Sequence, residues 1–422
     1  MSNDFTPITQ FVAKATGEFL TTKNAILATS SGKLASEFTK NMGYAPGDTV
    51  DIKIPTYPTV QRGSATTAQD LESRSIPYTV NDNDIFSVVR NVNLYDEIFN
   101  IAGGEKALTM DQKAAINENF VAPMYVSMAA EIEQEFAGLL NTTAHLTPDT
   151  DPDNLTPLNS FSGVSSATRF MNDMKFQKAN RYAMLNSVDS QKLADSLQNS
   201  FQPALNKRIT ETALVGQGRL AGFDMFESSD IRAHVAGPQA TVDRSFTIGA
   251  VVAEGATTLT VAGVQTTAGN LFNAGDKIAI PSVQLLDQTT KRVTEYDLVV
   301  TVVADTNGNN DGTATITISE ELWATGEKAN VSALPANAAA VKMYPSHRES
   351  YFYVPSALIA TPIPLGDIYG AKNSSSSLSD GKVPVKTILQ GDAANLTNMF
   401  RTSFLLGTKV LAPYVVVRLT AL

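Results

Sequence analysis

Apolar side chains recur every four residues between Asp111 and Leu140, and this spacing predicts one long helix. At 1.5 Å per residue, the predicted rod is roughly 45 Å long, which exceeds the diameter of a small domain. Pro123 lies inside the run and predicts a kink near Asn119. The stripe comprises Ile116, Phe120, Met124, Met128, Ile132, Phe136 and Leu140.

Residues 1–46 predict an N-terminal arm. Its apolar positions are interrupted by Gly17 and Gly32, which favours short amphipathic helices over an independent domain. We therefore expect the apolar face of the arm to pack on another part of the assembly.

From Gly47 the pattern changes to period two, with Val50, Ile52 and Ile54 alternating with polar residues. Strand character returns from Ile76 to Leu94 after a polar tract, so residues 47–95 predict a projecting hairpin. Its tip carries charged residues that either lie in solvent or form ion pairs between subunits: Arg62, Asp70, Glu72 and Arg74.

Beyond the long helix, residues 146–236 predict an α/β layer. The composition then changes near Gly237, and short Val/Thr/Ala/Gly strands at regular spacing predict a small all-β barrel or sandwich over residues 237–345. Residues 346–422 return to mixed character, with a mobile Ser-rich loop at Asn373–Asp380 and a helix at Asp392–Thr402. The predicted fold class is α+β.

The composition excludes several classes of protein. The 422 residues include no cysteine, which excludes disulfides, and no apolar run is long enough to span a membrane. The first residues lack the pattern of a secretory signal, so the cytoplasm is the expected compartment. A net charge of -10 argues against a protein that wraps nucleic acid through its phosphates.

Candidate chemistry is sparse. His145, His234 and His347 lie in distant segments without metal-ligand spacing, and we interpret them as isolated polar residues. Residues 305–312 place oxygen ligands as a calcium loop does, but Asn310 and Ile316 stand where that loop needs glycine and glutamate. We interpret this stretch as a β-hairpin connection. No catalytic residues, metal site or cofactor are predicted.

The order of these parts resembles that of the major capsid proteins of tailed bacteriophages, which share the Hong Kong ninety-seven fold. Within that group the chain resembles the phage P-twenty-two-like coat proteins, which carry an inserted β-barrel domain. Four segments support the resemblance: Leu220–Asp224, Ala274–Ile278, Leu285–Lys291 and Gln390–Asp392. Between Thr241 and Leu259 the chain departs from the best-known member, because a long charged loop is shortened.

The resemblance implies an N-arm at 1–46, an extended hairpin (E-loop) at 47–95 and a spine helix region at 96–145. Peripheral and axial domains would begin at 146–236 and be completed by 346–422, around an inserted all-β domain at 237–345. It also implies an icosahedral shell of pentamers and hexamers that assembles in the host cytoplasm and encloses double-stranded DNA. Scaffolding and portal proteins would be partners, with Asp4 and Glu18 as possible scaffold contacts.

Two alternatives stay open. An encapsulin-type compartment shares the fold but generally lacks the inserted β region. A ligand-binding or carbohydrate-binding protein would use the β region, where Trp323 is the only tryptophan available as a stacking platform.

Overall fold

The computed structural model is described here for part of the chain. The described residues are 6–23, 26, 29–30, 49–55, 73–79, 85–91, 111, 114, 118, 122–155, 158, 160–197, 218–266, 269–363, 365–367, 369, 371–375, 384–392, 397–411 and 413–421. Two compact units divide the chain. Unit 1 is Met1–Val50, Pro77–Phe136 and Leu358–Lys409, and unit 2 is Asp51–Ile76, Ala137–Ala357 and Val410–Leu422.

Helices and strands alternate irregularly, so the fold class is α+β, as predicted. The helices are α1 Thr6–Lys23, α2 Ala122–Thr143, α3 Phe161–Asp173, α4 Ser187–Leu197 and α5 Gln239–Val242. The strands before the β region are β1 Thr49–Pro55, β2 Ser73–Thr79, β3 Ile85–Asn91, β4 Arg181–Asn186, β5 Gly218–Leu220 and β6 Phe223–Ser228.

The strands from Ser245 onward are β7 Ser245–Ile248, β8 Ala256–Ala262, β9 Asn270–Phe272, β10 Lys277–Leu286, β11 Val293–Thr301, β12 Thr306–Asn307, β13 Thr313–Leu322 and β14 Ala340–Met343. The last group is β15 Arg348–Tyr353, β16 Leu358–Ile363, β17 Lys372–Ser375, β18 Lys386–Asp392, β19 Thr397–Val410 and β20 Val416–Ala421.

Helix α2 confirms the predicted four-residue stripe over its described length. Met124, Met128, Ile132, Phe136 and Leu140 are all buried, the last three completely. The hydroxyl groups of Thr142 and Thr143 donate to the carbonyl of Leu139 at 3.2 and 2.6 Å, so they compete for backbone bonds where the helix ends. The predicted kink near Asn119 lies outside the described residues.

In unit 1, α1 runs continuously through Gly17, one of the two predicted interruptions of the arm, whereas Gly32 lies outside the described residues. The helix packs on β17 and β18 of the same chain, burying Val12, Ala13 and Ala15. Its Thr9 hydroxyl shares a 2.6 Å hydrogen bond with the Ser374 hydroxyl. Tertiary packing of this face offsets the roughly 1 kcal/mol that a mid-helix glycine costs relative to alanine.

Two predictions about strands need correction. The expected second strand of the projecting hairpin is two strands, because β2 pairs with β1 while β3 pairs antiparallel with β19. The predicted helix at Asp392–Thr402 is wrong: β18 ends at Asp392 and β19 begins at Thr397. The Ser-rich segment begins as β17, and residues 376–380 lie outside the described part of the chain.

In unit 2, one mixed sheet has the strand order β20-β15-β4-β6-β5, in which β4 and β6 are parallel. Its β5–β6 hairpin turns at Ala221 and Gly222, whose φ angles of 49° and 91° are those of the two-residue turns that join twisted strands. Helices α3 and α4 contact strands of this sheet.

A second sheet of unit 2 has the order β11-β10-β14-β7-β8-β13 and is antiparallel throughout. An antiparallel bridge joins Val302, the residue after β11, to Ile318 of β13, so the first and last strands of the sheet come close together. Strands β9 and β12 form a separate pair. The Phe170 and Tyr296 rings pack 4.5 Å apart, so the hydrophobic core is continuous between this region and the mixed sheet.

Candidate functional site

The two chain segments that lead into and out of residues 237–345 are clamped together by a pair of histidines. The backbone N–H of His234 donates to the carbonyl of His347 at 2.8 Å, and the N–H of His347 donates back at 3.1 Å. Their rings lie 5.3 Å apart, centroid to centroid, and both residues are buried. We call this contact the histidine bridge.

The first histidine of the bridge is held by one carboxylate and one amide. His234 Nε2 lies 2.8 Å from the carboxylate of Asp276, and the side-chain amide of Asn141 lies 3.5 Å from Nδ1. Asp276 also accepts hydrogen bonds from the backbone N–H groups of Gly237 and Asn273, at 3.2 and 2.7 Å. A single buried carboxylate therefore fixes the histidine ring and the chain just before β10.

The second histidine of the bridge faces a buried ion pair. His347 Nε2 lies 2.8 Å from Glu349 Oε1 and 3.3 Å from Arg418 Nη2, while Nδ1 lies 2.6 Å from the carbonyl of Pro345. Arg418 and Glu349 form a salt bridge whose side chains are 0% and 2% exposed. The Tyr351 hydroxyl also donates to Glu349.

Arg418 connects this ion pair to the end of α2. Its Nη1 donates to the carbonyl of Asn141 at 2.9 Å and lies 3.4 Å from that of Ala144. Its Nη2 donates to the Asn141 side chain and to the carbonyl of Gly275, both at 3.1 Å. A guanidinium at this position satisfies the terminal carbonyls of the helix and complements the negative end of its dipole.

Burial sets the protonation of the cluster. Burial, with the nearby charges of Lys277 and Arg418, lowers the pKa of His347 to about 2, so the ring is neutral at pH 7. Burial also lowers the pKa of Lys277 well below its usual value. The amino group of Lys277 has no hydrogen-bond partner and lies 5.6 Å from the centroid of the Tyr344 ring. The cluster can therefore fix the orientation of the chain segments that it joins, and its charge can change when protons are added.

Sequence reasoning missed this site. The prediction that all three histidines are isolated is wrong for His234 and His347, whereas His145 lies outside the bridge. A signal was present, because the two residues flank the composition change at 237–345 on either side. Their pairing required the strands to be placed in space.

The predicted contact residues, or their side chains, lie outside the part of the chain that the structure describes, so these contacts stay predictions. Arg62, Asp70, Glu72 and Asp4 lie outside the described residues. Arg74 falls within β2 and Glu18 within α1, but their side chains are not among those the structure describes.

The carboxylates of the calcium-like loop accept hydrogen bonds from backbone N–H groups. Asp305 accepts from the backbone N–H of Ala274 at 2.8 Å, and Asp311 accepts from that of Thr313 at 3.0 Å. Within the described parts of the chain, no group of three or more histidine or acidic side chains is arranged to hold a metal ion.

Trp323 does not offer an open stacking face. Lys328 Nζ lies 5.1 Å from the centre of its ring, and Gly255 packs so closely that an added Cβ would lie 2.8 Å from the ring. A nearby pocket of about 80 Å³ has aliphatic walls that include Leu146, Leu285 and Leu298. This volume is well below the roughly 300–1,000 Å³ typical of small-molecule sites.

The comparisons with known proteins point to one family. The family model described as "P22 coat protein - gene protein 5" matches residues 87–420. No curated protein is significantly similar to the chain. Across the described residues, none of the helices is long and apolar enough to cross a bilayer.

Solved structures show more distant likenesses. A structure titled "Mycobacterium phage Che8" is 11% identical, covers 94% of this chain and 90% of that chain, and gives a TM-score of 0.45. The capsid of cyanophage P-SCSP1u is 10% identical, covers 90% and 85%, and gives 0.38. The CUS-3 coat protein I-domain is 24% identical over 24% of this chain and 96% of that chain, with 0.18. At TM-scores this low, none of the three defines the fold.

Proposed function

Because the chain belongs to the P22 coat protein family, and is thus a phage major capsid protein whose copies form the shell, we propose how its parts serve that shell. The copies close an icosahedral shell through contacts repeated around rings of five and six. The shell encloses the double-stranded DNA of a tailed phage and assembles in the host cytoplasm. The match over residues 87–420 is the observation that carries this proposal.

Containment rather than recognition of DNA agrees with the charge of the chain. A net charge of -10 disfavours tight binding to phosphates, which depends on clustered lysine and arginine. An acidic inner surface would instead suit a scaffolding protein with a basic docking segment. Asp4 and Glu18 are the proposed scaffold contacts, and the portal protein is a further proposed partner.

We assign the Hong Kong ninety-seven elements as follows. Helix α2 is the spine helix, residues 47–95 are the extended hairpin that lies over a neighbouring subunit, and residues 237–345 are an inserted β-barrel domain. The six-stranded antiparallel sheet and the bridge from Val302, just after the edge strand β11, to Ile318 of the other edge strand support a closed barrel. This inserted region distinguishes the chain from an encapsulin-type shell.

Electron microscopy of the full-length protein tests the proposal directly. The chain is expressed alone and together with its scaffold gene, and each product is imaged. We expect closed shells, or spirals and tubes when the scaffold is absent. A well-behaved monomer or small oligomer under both conditions would contradict shell formation.

The hairpin tip can be tested separately. Reversing the charges of Arg62 and Arg74 together should weaken assembly, because the proposed intersubunit ion pairs would become repulsive. The circular dichroism of the unassembled chain should stay unchanged. Assembly at the wild-type rate and yield would rule out this role for the tip.

A further inference from the structure

We propose that the histidine bridge is a proton-sensitive lock, which fixes residues 237–345 against the rest of unit 2 at neutral pH and opens in mild acid. The lock comprises His234, His347, Asp276, Glu349 and Arg418. It does not depend on the proposed assignments within the shell, because its state is a property of the single chain.

The position of the bridge is the first argument. Residues 237–345 are connected to the rest of unit 2 by two chain segments, and His234 and His347 lie on one each. The bridge exchanges both backbone hydrogen bonds between these segments. Any motion of residues 237–345 that separates their two connections must break this contact.

The second argument is that Arg418 and Asp276, which flank the bridge, each bond several parts of the fold. Arg418 holds the α2 terminus, the carbonyl of Gly275 before β10 and the carboxylate of Glu349 in β15. Asp276 holds His234 and the N–H of Gly237. These contacts join α2, both connections and the mixed sheet in one buried network.

The third argument is the geometry around His347 Nε2. A proton on this nitrogen would place a second cation 3.3 Å from the Arg418 guanidinium and 2.8 Å from the carboxylate oxygen that holds it. A positive charge on Lys277 or on His234 also opposes an added proton on this ring. The Tyr344 ring, whose centroid lies 6.1 Å from that of His347, is itself buried.

Protonation of His347 therefore favours opening of the lock. The imidazolium and Arg418 compete for Glu349, and the network relieves the repulsion when one cation leaves it. Since an unperturbed histidine has a pKa of about 6.5, the open state binds a proton that the locked state resists. As the pH falls below about 6.5, the ratio of open to locked molecules should rise by up to roughly tenfold per unit.

Hydrogen exchange followed by mass spectrometry on the full-length chain tests the lock. After correction for intrinsic exchange rates, protection of peptides that contain residues 231–237 and 343–349 should fall on the order of tenfold per pH unit between about 6.5 and 4.5. The parallel strand β4 serves as an internal reference and should keep its protection. Equal loss in β4 would mean global unfolding and would overturn a local lock.

Matched variants identify the responsible group. His347→Gln keeps a hydrogen-bonding side chain but does not titrate, so the pH slope should disappear. His145→Gln removes a buried histidine outside the bridge and should keep the wild-type slope. An unchanged slope in His347→Gln would overturn the proposal.

A measurement on the unmodified chain covers the case in which His347→Gln fails to fold. Nuclear magnetic resonance of ring-labelled histidine follows the protonation of each imidazole. We expect His347 to gain its proton only in step with the loss of protection. Protonation of His347 near pH 6.5 while the bridge stays protected would show that the lock tolerates the charge and would overturn the proposal.

Discussion

Replacing Arg418 by methionine should be among the most destabilising single changes in the described part of unit 2. Methionine fills much of the volume but leaves Glu349 charged and buried, and it leaves the carbonyls of Asn141 and Gly275 without their donor. Removing one partner of a buried ion pair costs about 3–5 kcal/mol. Because Arg418 Nε has no partner in the native cluster, we expect the lower half of that range.

Urea unfolding of the unassembled chain measures this loss. Far-UV circular dichroism follows the whole chain, while fluorescence of Trp323, the only tryptophan, follows the β region. In Arg418→Met the fluorescence and dichroism midpoints should separate, because the network no longer couples the β region to the mixed sheet. Arg169→Met, which removes an exposed ion pair with Glu295, is the matched control and should cost at most about 1 kcal/mol. A loss below about 1 kcal/mol in Arg418→Met would refute the network as a source of stability.

Three further changes test other parts of the fold. Gly275→Ala should destabilise strongly in thermal unfolding, because Gly275 has a φ of 95° and an added Cβ would lie 2.5 Å from the Asn141 side chain. Gly326→Ala is the control: its φ is 79° but the space around it is open, so it should cost only about 1–2 kcal/mol. Phe136→Ala should cost about 3–5 kcal/mol in urea unfolding because this side chain of α2 is fully buried, and equal stability would contradict its core position. Lys277→Met should raise the free energy of unfolding at pH 7. Burial lowers the folded pKa of Lys277, so wild-type stability should rise with pH until the unfolded chain loses this proton near about pH 10, and the variant should lack this rise.

The local sequence pattern was sufficient to predict a helix or strand where that element buries one regular face. In α2 a four-residue spacing of large apolar side chains predicted the buried stripe, and Met128 and Ile132 lie where that spacing puts them. In the β region, alternation predicted strands such as Ala314–Ile318, which forms part of β13. Periodicity reports the environment correctly when one face of an element is buried and the opposite face is exposed.

Local pattern failed where several neighbours cover one element. Strand β19 pairs with both β18 and β3, and consecutive residues such as Thr402, Ser403 and Phe404 are buried, so no alternation is visible. A segment buried on both faces looks the same as a buried helix in sequence. Tertiary pairing, which the sequence does not display, decided the outcome.

The histidine bridge was unpredictable for a different reason. His234 and His347 are more than a hundred positions apart, and each has ordinary polar neighbours in the sequence. Their role follows from Arg418, near the C-terminal end of the sequence given, which reaches the end of α2. A network drawn from five distant segments has no local spacing to reveal it.

The network should contribute more to orientation than to stability. Hydrophobic contact is non-directional, whereas Arg418 and Glu349 require fixed angles between their elements. Replacing both residues, as Arg418→Met with Glu349→Leu, removes the orphaned charge, and such apolar replacements are often neutral or stabilising by about 1–4 kcal/mol. The double variant should therefore recover most of the free energy of unfolding lost in Arg418→Met. If a single orientation of residues 237–345 is needed for regular shells, its particles should nevertheless vary more in diameter by electron microscopy than those of the Arg169→Met control. Shells as uniform as the wild type, at recovered stability, would show that packing alone sets the orientation.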